Sequence, residues 1–351
     1  MRSIKVAILG GRGMVGQWFI KMLNKHPMFK VTAVTSSSKA GLRYDKSTKW
    51  LLGSDVPTNL KGIILSDSNP KSIDADIVFS SLPSHVAGEI ESEFAREGFL
   101  VISKASYYRM KPDIPLVIPE VNFDHMTLVN AQKRRRGWDG AIVTDPNCTT
   151  SILALSLKPL HDLLGLNKIV VTTMQSVSGA GYPGVPSYDI VDNIIPYIPG
   201  EEDKLRSELK KIFGKVKGEF IEESRVNVIA SCTRVPVLDG HLESVYIESE
   251  AEAGLKDVID ALRSFKGLPQ ELKLPSAPEQ PIVVREEIDR PQPRLDRMTG
   301  TVPGMSVVVG RVRKVGSKSF SFFVLGHNLI RGAAGSAVLL AELLVKEGYV
   351  R

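Results

Sequence analysis

The sequence predicts an α/β protein in which an N-terminal doubly wound, Rossmann-type parallel sheet is joined to an α+β domain with a largely antiparallel sheet. Three observations carry this. Short apolar strands alternate with amphipathic helices through the first part of the chain, and a glycine-rich turn links the first strand to the first helix. Beyond Cys148, strands follow one another with few helices between them. At roughly 150 residues per domain, 351 residues suit two domains.

The elements follow in order. Ile4–Leu9 reads as a buried strand, and Met14, Val15, Trp18, Phe19, Met22 and Leu23 recur with helical spacing before Pro27. Val31–Val34 and Asp76–Leu82 are further strands, the latter followed by a helix with Val86, Ile90 and Phe94 on its inner face. Val101–Ser103, Leu116–Ile118 and Ala141–Thr144 extend the strand series. After a helix that starts near Cys148 come strands at Lys168–Gln175, Val226–Ala230, Leu242–Glu248, Ile282–Arg285, Met305–Arg313 and Ser319–Leu325. Helices at Glu202–Phe213 and Leu255–Phe265 interrupt them, and Pro269 to Pro293 reads as an ordered excursion. The helix from about Gly332 to Lys346 has the look of the first half and is expected to pack back on it. The expected division is 1–147 with 330–351 as one domain, and 148–329 as the other.

Composition narrows the function classes. Hydrophobic residues make up 43%, charged residues 24%, and mean hydropathy is −0.01, as in ordinary soluble domains. No apolar run approaches a membrane span, and Val6–Leu9 is too short for a signal peptide, so a cytoplasmic chain is expected. Two cysteines exclude a disulfide framework and a four-cysteine zinc site, and no metal is expected. A net charge of +6 suits small anionic ligands better than nucleic acid, and the run Lys133–Arg136 reads as a solvated helix end.

The turn Gly10-Gly11-Arg12-Gly13-Met14-Val15-Gly16 has the strand–turn–helix context of a dinucleotide site. Its glycines let the backbone approach a pyrophosphate, which then faces the helix N-terminus. An NAD site calls for an acid at the end of the second strand. Here that strand runs into Ser36, Ser37, Ser38 and Lys39, with Arg43 close behind and Arg12 inside the turn. Hydroxyls and cations suit a 2′-phosphate, so NADP is the expected cofactor. Ser81, ending the third strand, joins the candidate cofactor contacts.

Asp145-Pro146-Asn147-Cys148-Thr149-Thr150 leads from a strand into a helix. Asn147 suits the N-cap, which places Cys148 in the first turn, where the helix dipole favours a thiolate and free N–H groups can hold an oxyanion. Cys232 reads as inert packing. A thiolate nucleophile needs an acid/base partner. His241, following Asp239-Gly240 at a turn between strands, has the most informative setting of six histidines, with Arg234 placed for a substrate carboxylate. His85 and His327 remain as residues that could border the cofactor.

These motifs together resemble the aspartate-β-semialdehyde dehydrogenase family. The glycine turn, Pro-Asn-Cys-Thr, Gln175 in Met174–Gly181, and Arg234–His241 carry the likeness. Arg285–Arg297 and Asn328–Gly335 resemble its archaeal and fungal branch. Gly11-Arg12 departs from the usual Ala-Thr. The resemblance implies Cys148 as nucleophile, His241 as acid/base and Gln175 as the residue orienting the thioacyl intermediate. It implies Arg234 for the substrate carboxylate, Arg109, Lys204 and Asn147 for phosphate, and Glu202 for the ammonium, with Glu201 adjacent. Ser178, Gly179 and Asn328 would lie near the nicotinamide.

The implied reaction is reversible reductive dephosphorylation of aspartyl phosphate to aspartate semialdehyde through a cysteine thioester, on the route to lysine, threonine and methionine. The expected partners are these small molecules and phosphate, and a homodimer or homotetramer is expected. A related acyl reductase, acting on malonyl-CoA or N-acetyl-glutamyl phosphate, would use the same steps. A cofactor-free acyltransferase is opposed by the glycine turn, and a non-catalytic NADP-sensing module leaves Cys148 and His241 superfluous.

Overall fold

The structure, a computed structural model, describes residues 3–350. Strands β1 (Ile4–Leu9), β2 (Phe29–Val34), β3 (Ile77–Ser80), β4 (Leu100–Ser103) and β5 (Ala141–Thr144) form a parallel sheet in the order β2-β1-β3-β4-β5. Helix α1 (Met14–Met22) follows β1, and α2 (Tyr44–Ser47) and α3 (Thr58–Lys61) lie between β2 and β3. Side chains alternate across the strand. Val6 and Ile8 face Phe19 and Ile20 of α1, whereas Ala7 and Leu9 face Phe94 and Ala95 of α4 (Ser84–Arg96).

Leu116–Ile118, expected as a strand, makes only a bridge from Leu116 to Thr144. Thr144 N–H donates to Pro115 O and Val117 N–H to Thr144 O, so the segment borders β5 without extending the sheet. The basic run ends α5 (Leu128–Arg136), where Arg134 and Arg135 pair with Glu219 and Arg136 with Asp113.

The second half is built around α6 (Cys148–Leu164). Ile152, Leu153, Leu155, Leu157 and Leu160 are fully buried, each adding roughly 2 kcal/mol over exposure. That anchoring holds the N-terminal turn of α6 in a fixed position. Strand β6 (Leu166–Gln175), α7 (Ser187–Ile190), α8 (Glu201–Ile212) and a small hairpin of β7 (Lys215–Lys217) and β8 (Phe220–Glu222) follow. Then come β9 (Asn227–Arg234), β10 (His241–Ser249), α9 (Leu255–Ser264), α10 (Leu268–Glu271) and β11 (Ile282–Arg285). Helix α11 (Pro293–Asp296), β12 (Val307–Gly316) and β13 (Ser319–Gly326) precede a π-helical turn, Ile330–Ala334, and α12 (Gly335–Lys346).

The six-stranded sheet runs β11-β12-β13-β10-β6-β9 and is mixed. Its three antiparallel pairings match the expected pattern, but β6 with β9 and β11 with β12 are parallel. A parallel neighbour requires a crossover, and α7 and α8 supply it between β6 and β9. Ala337, Val338, Leu340, Ala341 and Leu344 of α12 share one core with Val6, Ile8 and Val143, so this helix packs on the first sheet. No helix among the described residues is long and apolar enough to cross a membrane.

Candidate active site

Asn147 caps α6, its Oδ1 accepting the Thr149 N–H at 2.9 Å, which puts Cys148 at the first helical position. Strand β10 begins at His241, and its register against β6 and β13 turns the ring toward α6. Cys148 Sγ and His241 Nε2 lie 3.2 Å apart. Ser176 flanks the other ring nitrogen: its N–H donates to Nδ1 at 3.1 Å, and its Oγ stands 3.2 Å from the same atom. The N–H serves a bare Nδ1 and the Oγ serves a protonated one, so Nε2 faces the sulfur in either state.

Burial pushes the Cys148 thiol up to about 11, assisted by Glu201 and opposed by Lys104 and Arg109. Burial also drives His241 down to about 3, with the charge of Arg234 adding to the effect. In the free protein these shifts favour a neutral thiol beside a neutral imidazole, burial being the largest cause of each.

Around this pair lies a cluster of buried charge. Arg234, ending β9, donates Nη1 to Ser176 O at 2.8 Å. Gly179 sits against both groups: a Cβ there would fall 2.8 Å from Arg234 Nη1 and 2.9 Å from His241 Cε1. Arg109 donates Nη1 to Glu208 Oε1 (2.9 Å) and Nη2 to Lys104 O (2.6 Å), while its buried Nε has no partner. Glu208 Oε2 accepts the Asn147 backbone N–H at 2.7 Å. The unpartnered Nε is a donor available to an anion.

Helix α8 places its first two glutamates differently. Glu201 is buried and accepts from Asn147 Nδ2 (2.9 Å), Lys204 Nζ (2.8 Å) and Gln175 Nε2 (3.4 Å). Glu202 turns to the sheet, where its Oε1 accepts the Cys232 N–H at 3.1 Å. A step of one residue rotates a helical side chain by about 100°, and that rotation brings Glu201 rather than Glu202 into the cluster.

A cavity of about 550 Å³ joins this cluster to the glycine turn. Met14, Val15, Ser81, Asn147, Cys148, Ser178, Gly179 and Asn328 are among the residues that line it. No side chain caps α1, and a Cβ on Gly16 would fall 2.5 Å from Gly10 O, so the turn admits no larger residue there. Arg12 reaches Ser47 O through Nε (3.1 Å) and Nη2 (2.7 Å), and approaches Ser38 Oγ at 3.4 Å. Arg43 instead pairs with Asp45, which offsets its charge. Ser36 and Ser37 adjoin Ser38 just beyond β2. An uncapped helix N-terminus beside a cation and hydroxyls fits a dinucleotide phosphate. Among the described residues, no group of three or more His, Cys, Asp or Glu is placed to hold a metal ion.

Two family models match: semialdehyde dehydrogenase, NAD binding domain, over residues 5–129, and semialdehyde dehydrogenase, dimerisation domain, over residues 157–331. An aspartate-semialdehyde dehydrogenase of Archaeoglobus fulgidus is 53% identical, covering 98% of this chain and 99% of its own. The chain belongs to the aspartate-semialdehyde dehydrogenase family. The Candida albicans aspartate-semialdehyde dehydrogenase, solved with NADP, has a TM-score of 0.89 at 39% identity, over 97% of this chain and 98% of that one. A malonyl CoA reductase (NADP) of Metallosphaera sedula is 42% identical over 99% of both chains.

Several polar groups of the site escaped sequence reasoning. Lys104 lines the cavity beside Cys148, Glu208 ties Arg109 to the N-cap of α6, and Ser176 orients the imidazole. Glu208 carried a usable signal: with Glu201 it lies two turns apart on one face of α8. Lys104 and Ser176 carried none, since each acts through a neighbour distant in sequence.

Proposed function

We propose that the chain catalyses NADP-dependent reductive dephosphorylation of L-4-aspartyl phosphate to L-aspartate 4-semialdehyde, reversibly, through a thioester on Cys148. The observation that carries this reading is the 3.2 Å approach of buried His241 Nε2 to Cys148 Sγ, where Cys148 lines a cavity that also reaches Met14 and Val15 of the glycine turn. Arg234 binds the α-carboxylate and Glu201 the ammonium, while Arg109, Lys204 and Asn147 hold the phosphate.

Cys148 Sγ attacks the acyl carbon, the C–O bond to phosphate breaks, and a thioester forms. The proton released from sulfur rests on His241, with Ser176 Oγ as the acceptor for Nδ1–H. The departing phosphate takes its proton from solvent while Arg109 and Lys204 offset its charge. Bound NADPH supplies the hydride that this carbon accepts. The first-turn N–H groups of α6 that the Asn147 cap leaves free hold the oxyanion, His241 returns its proton, and the C–S bond breaks to release aldehyde. Gln175, hydrogen-bonded to Thr173 Oγ1 at 3.3 Å, keeps the thioacyl group in line.

The test is NADP⁺ reduction by L-aspartate semialdehyde, with and without inorganic phosphate. Phosphate-dependent turnover is the expected result. Activity only with malonyl-CoA and NADPH would instead establish the acyl-CoA reading suggested by the Metallosphaera relative.

The working unit is a homodimer through the second domain. Tyr188, Ile194 and Tyr197 are 98%, 59% and 61% exposed, and Ile195 bridges to Arg234 on the edge strand β9. Such an apolar patch on an exposed edge calls for a covering partner, and a second copy offers the complementary face.

A further inference from the structure

Strands β4 and β5 are paired in register at Ser103 and Thr144, so the next residues, Lys104 and Asp145, emerge side by side at the ligand end of the first sheet. Asp145 is buried, the Lys104 side chain is nearly so, and Lys104 Nζ donates to Asp145 Oδ2. Its other two bonds go to Pro146 O and Gly332 O, each at 3.1 Å. An ammonium has three N–H donors, and all three are used. Lys104 therefore has no proton to give a substrate atom without breaking one of these bonds.

The two carbonyls are those that frame the nucleophile. Pro146 lies two residues before Cys148, in the segment that aims α6. Gly332 packs on Cys148 so closely that a Cβ would fall 2.8 Å from Cys148 Cβ and 3.1 Å from its carbonyl oxygen. One side chain thus ties the approach to α6, the C-terminal π-turn and the end of β5 to a single point. The cost is a buried ion pair, and Asp145 Oδ1 is left without a partner. Such pairs contribute little to stability compared with neutral packing, which leaves geometry and charge as what this one supplies.

We propose that Lys104, locked by Asp145, is the positioning residue of the nucleophile, fixing the carbonyls on either side of Cys148 and setting a positive charge beside its sulfur. Other charges face the sulfur from the neighbouring elements. Arg109 and Arg234 act with Lys104, Glu201 acts against it, and His241 stands in contact. Arg331, on the π-turn, is taken up by Glu120 at 2.6 Å. Lys104 differs from Arg109, whose Nε has no partner, in that all three of its donors are used on protein, so it does not turn to a bound anion.

This rests on Cys148 as the nucleophile. The test is the double variant Lys104→Met/Asp145→Asn, which removes both charges and leaves no buried carboxylate unpaired. Thermal melting and NADP affinity verify folding. Alkylation of Cys148 by iodoacetamide at pH 8 is expected to slow about tenfold, with the profile displaced to higher pH, about one unit for a lost neighbouring charge. The kcat is expected to fall about tenfold or more with KM little changed, since the oxyanion donors lose their aim. A folded double variant with wild-type alkylation and kcat overturns the proposal. Lys104→Arg keeps the charge but cannot direct three donors at converging acceptors. It is expected to retain the alkylation profile and lose kcat, and wild-type kcat in it would overturn the positioning role even where the double variant does not fold. Turnover surviving in Cys148→Ala would overturn the nucleophile itself, a separate result from failure of the lysine.

Discussion

Cys148 Sγ and His241 Nε2 stand 3.2 Å apart although 93 residues separate them in the chain. One is carried by the first turn of a buried helix and the other by the first residue of a central strand, so neither depends on a loop for its position. Replacing Cys148 with Ala is expected to lower kcat by roughly 10³-fold or more, and His241→Gln by roughly 10²–10⁴-fold. NADP affinity, followed by fluorescence titration, should survive both. Loss of cofactor binding would point to misfolding in place of a chemical role.

The free protein should alkylate slowly near neutrality. With the thiol pushed up to about 11, the thiolate fraction at pH 7 is small and rises about tenfold per pH unit toward that value. The rate with iodoacetamide is therefore expected to climb through pH 7–10 without levelling. A plateau below pH 8 would show that burial does not hold the thiol up.

Glu201→Gln is expected to reduce kcat/KM for the amino-acid substrate by about 10–100-fold, since the lost charge faces Asn147, Lys204 and Gln175. Glu202→Gln keeps an acceptor for the Cys232 N–H and should stay within a few-fold of wild type. Steady-state kinetics of the two variants decides between adjacent carboxylates, and the reverse ranking would restore Glu202 as the ammonium ligand.

Gly179 is exposed, so Gly179→Ala should fold normally. The added methyl would nonetheless meet Arg234 and His241 at under 3 Å. The expected result is an unchanged melting temperature with kcat/KM reduced about tenfold or more, because small displacements of catalytic groups are costly. Unchanged kinetics would mean that the loop relaxes freely.

Ile194→Asp puts a charge into the exposed face of Tyr188, Ile194 and Tyr197. Size-exclusion chromatography with light scattering should report a dimer for the wild-type chain and a monomer for the variant. An unaltered dimer would locate the interface elsewhere.

Much of this architecture was legible from local pattern. The glycine turn and the Asn147-Cys148 helix start are short-range features, and the chain carries them within a few residues. The two parallel pairs of the second sheet were hidden because strand order depends on crossovers, not on the strands themselves. Leu116–Ile118 read as a strand from apolarity alone, yet its only sheet-like contacts are to Thr144. Glu201 and Glu202 could not be separated without the rotation of α8. The Lys104–Asp145 pair needed the register of β4 against β5, which joins residues 41 positions apart.

The placement of α12 has a consequence for how the molecule is made. Val6, Ile8 and Val143 are synthesised long before Ala337, Leu340 and Leu344, the residues that complete their core. Until α12 is made, that face of the first sheet is covered only in part, by α1 and its neighbours, and chains of this size already pass through intermediates with exposed surface. Growing chains are most vulnerable to mutual sticking in that interval, which lasts until α12 is made and docks.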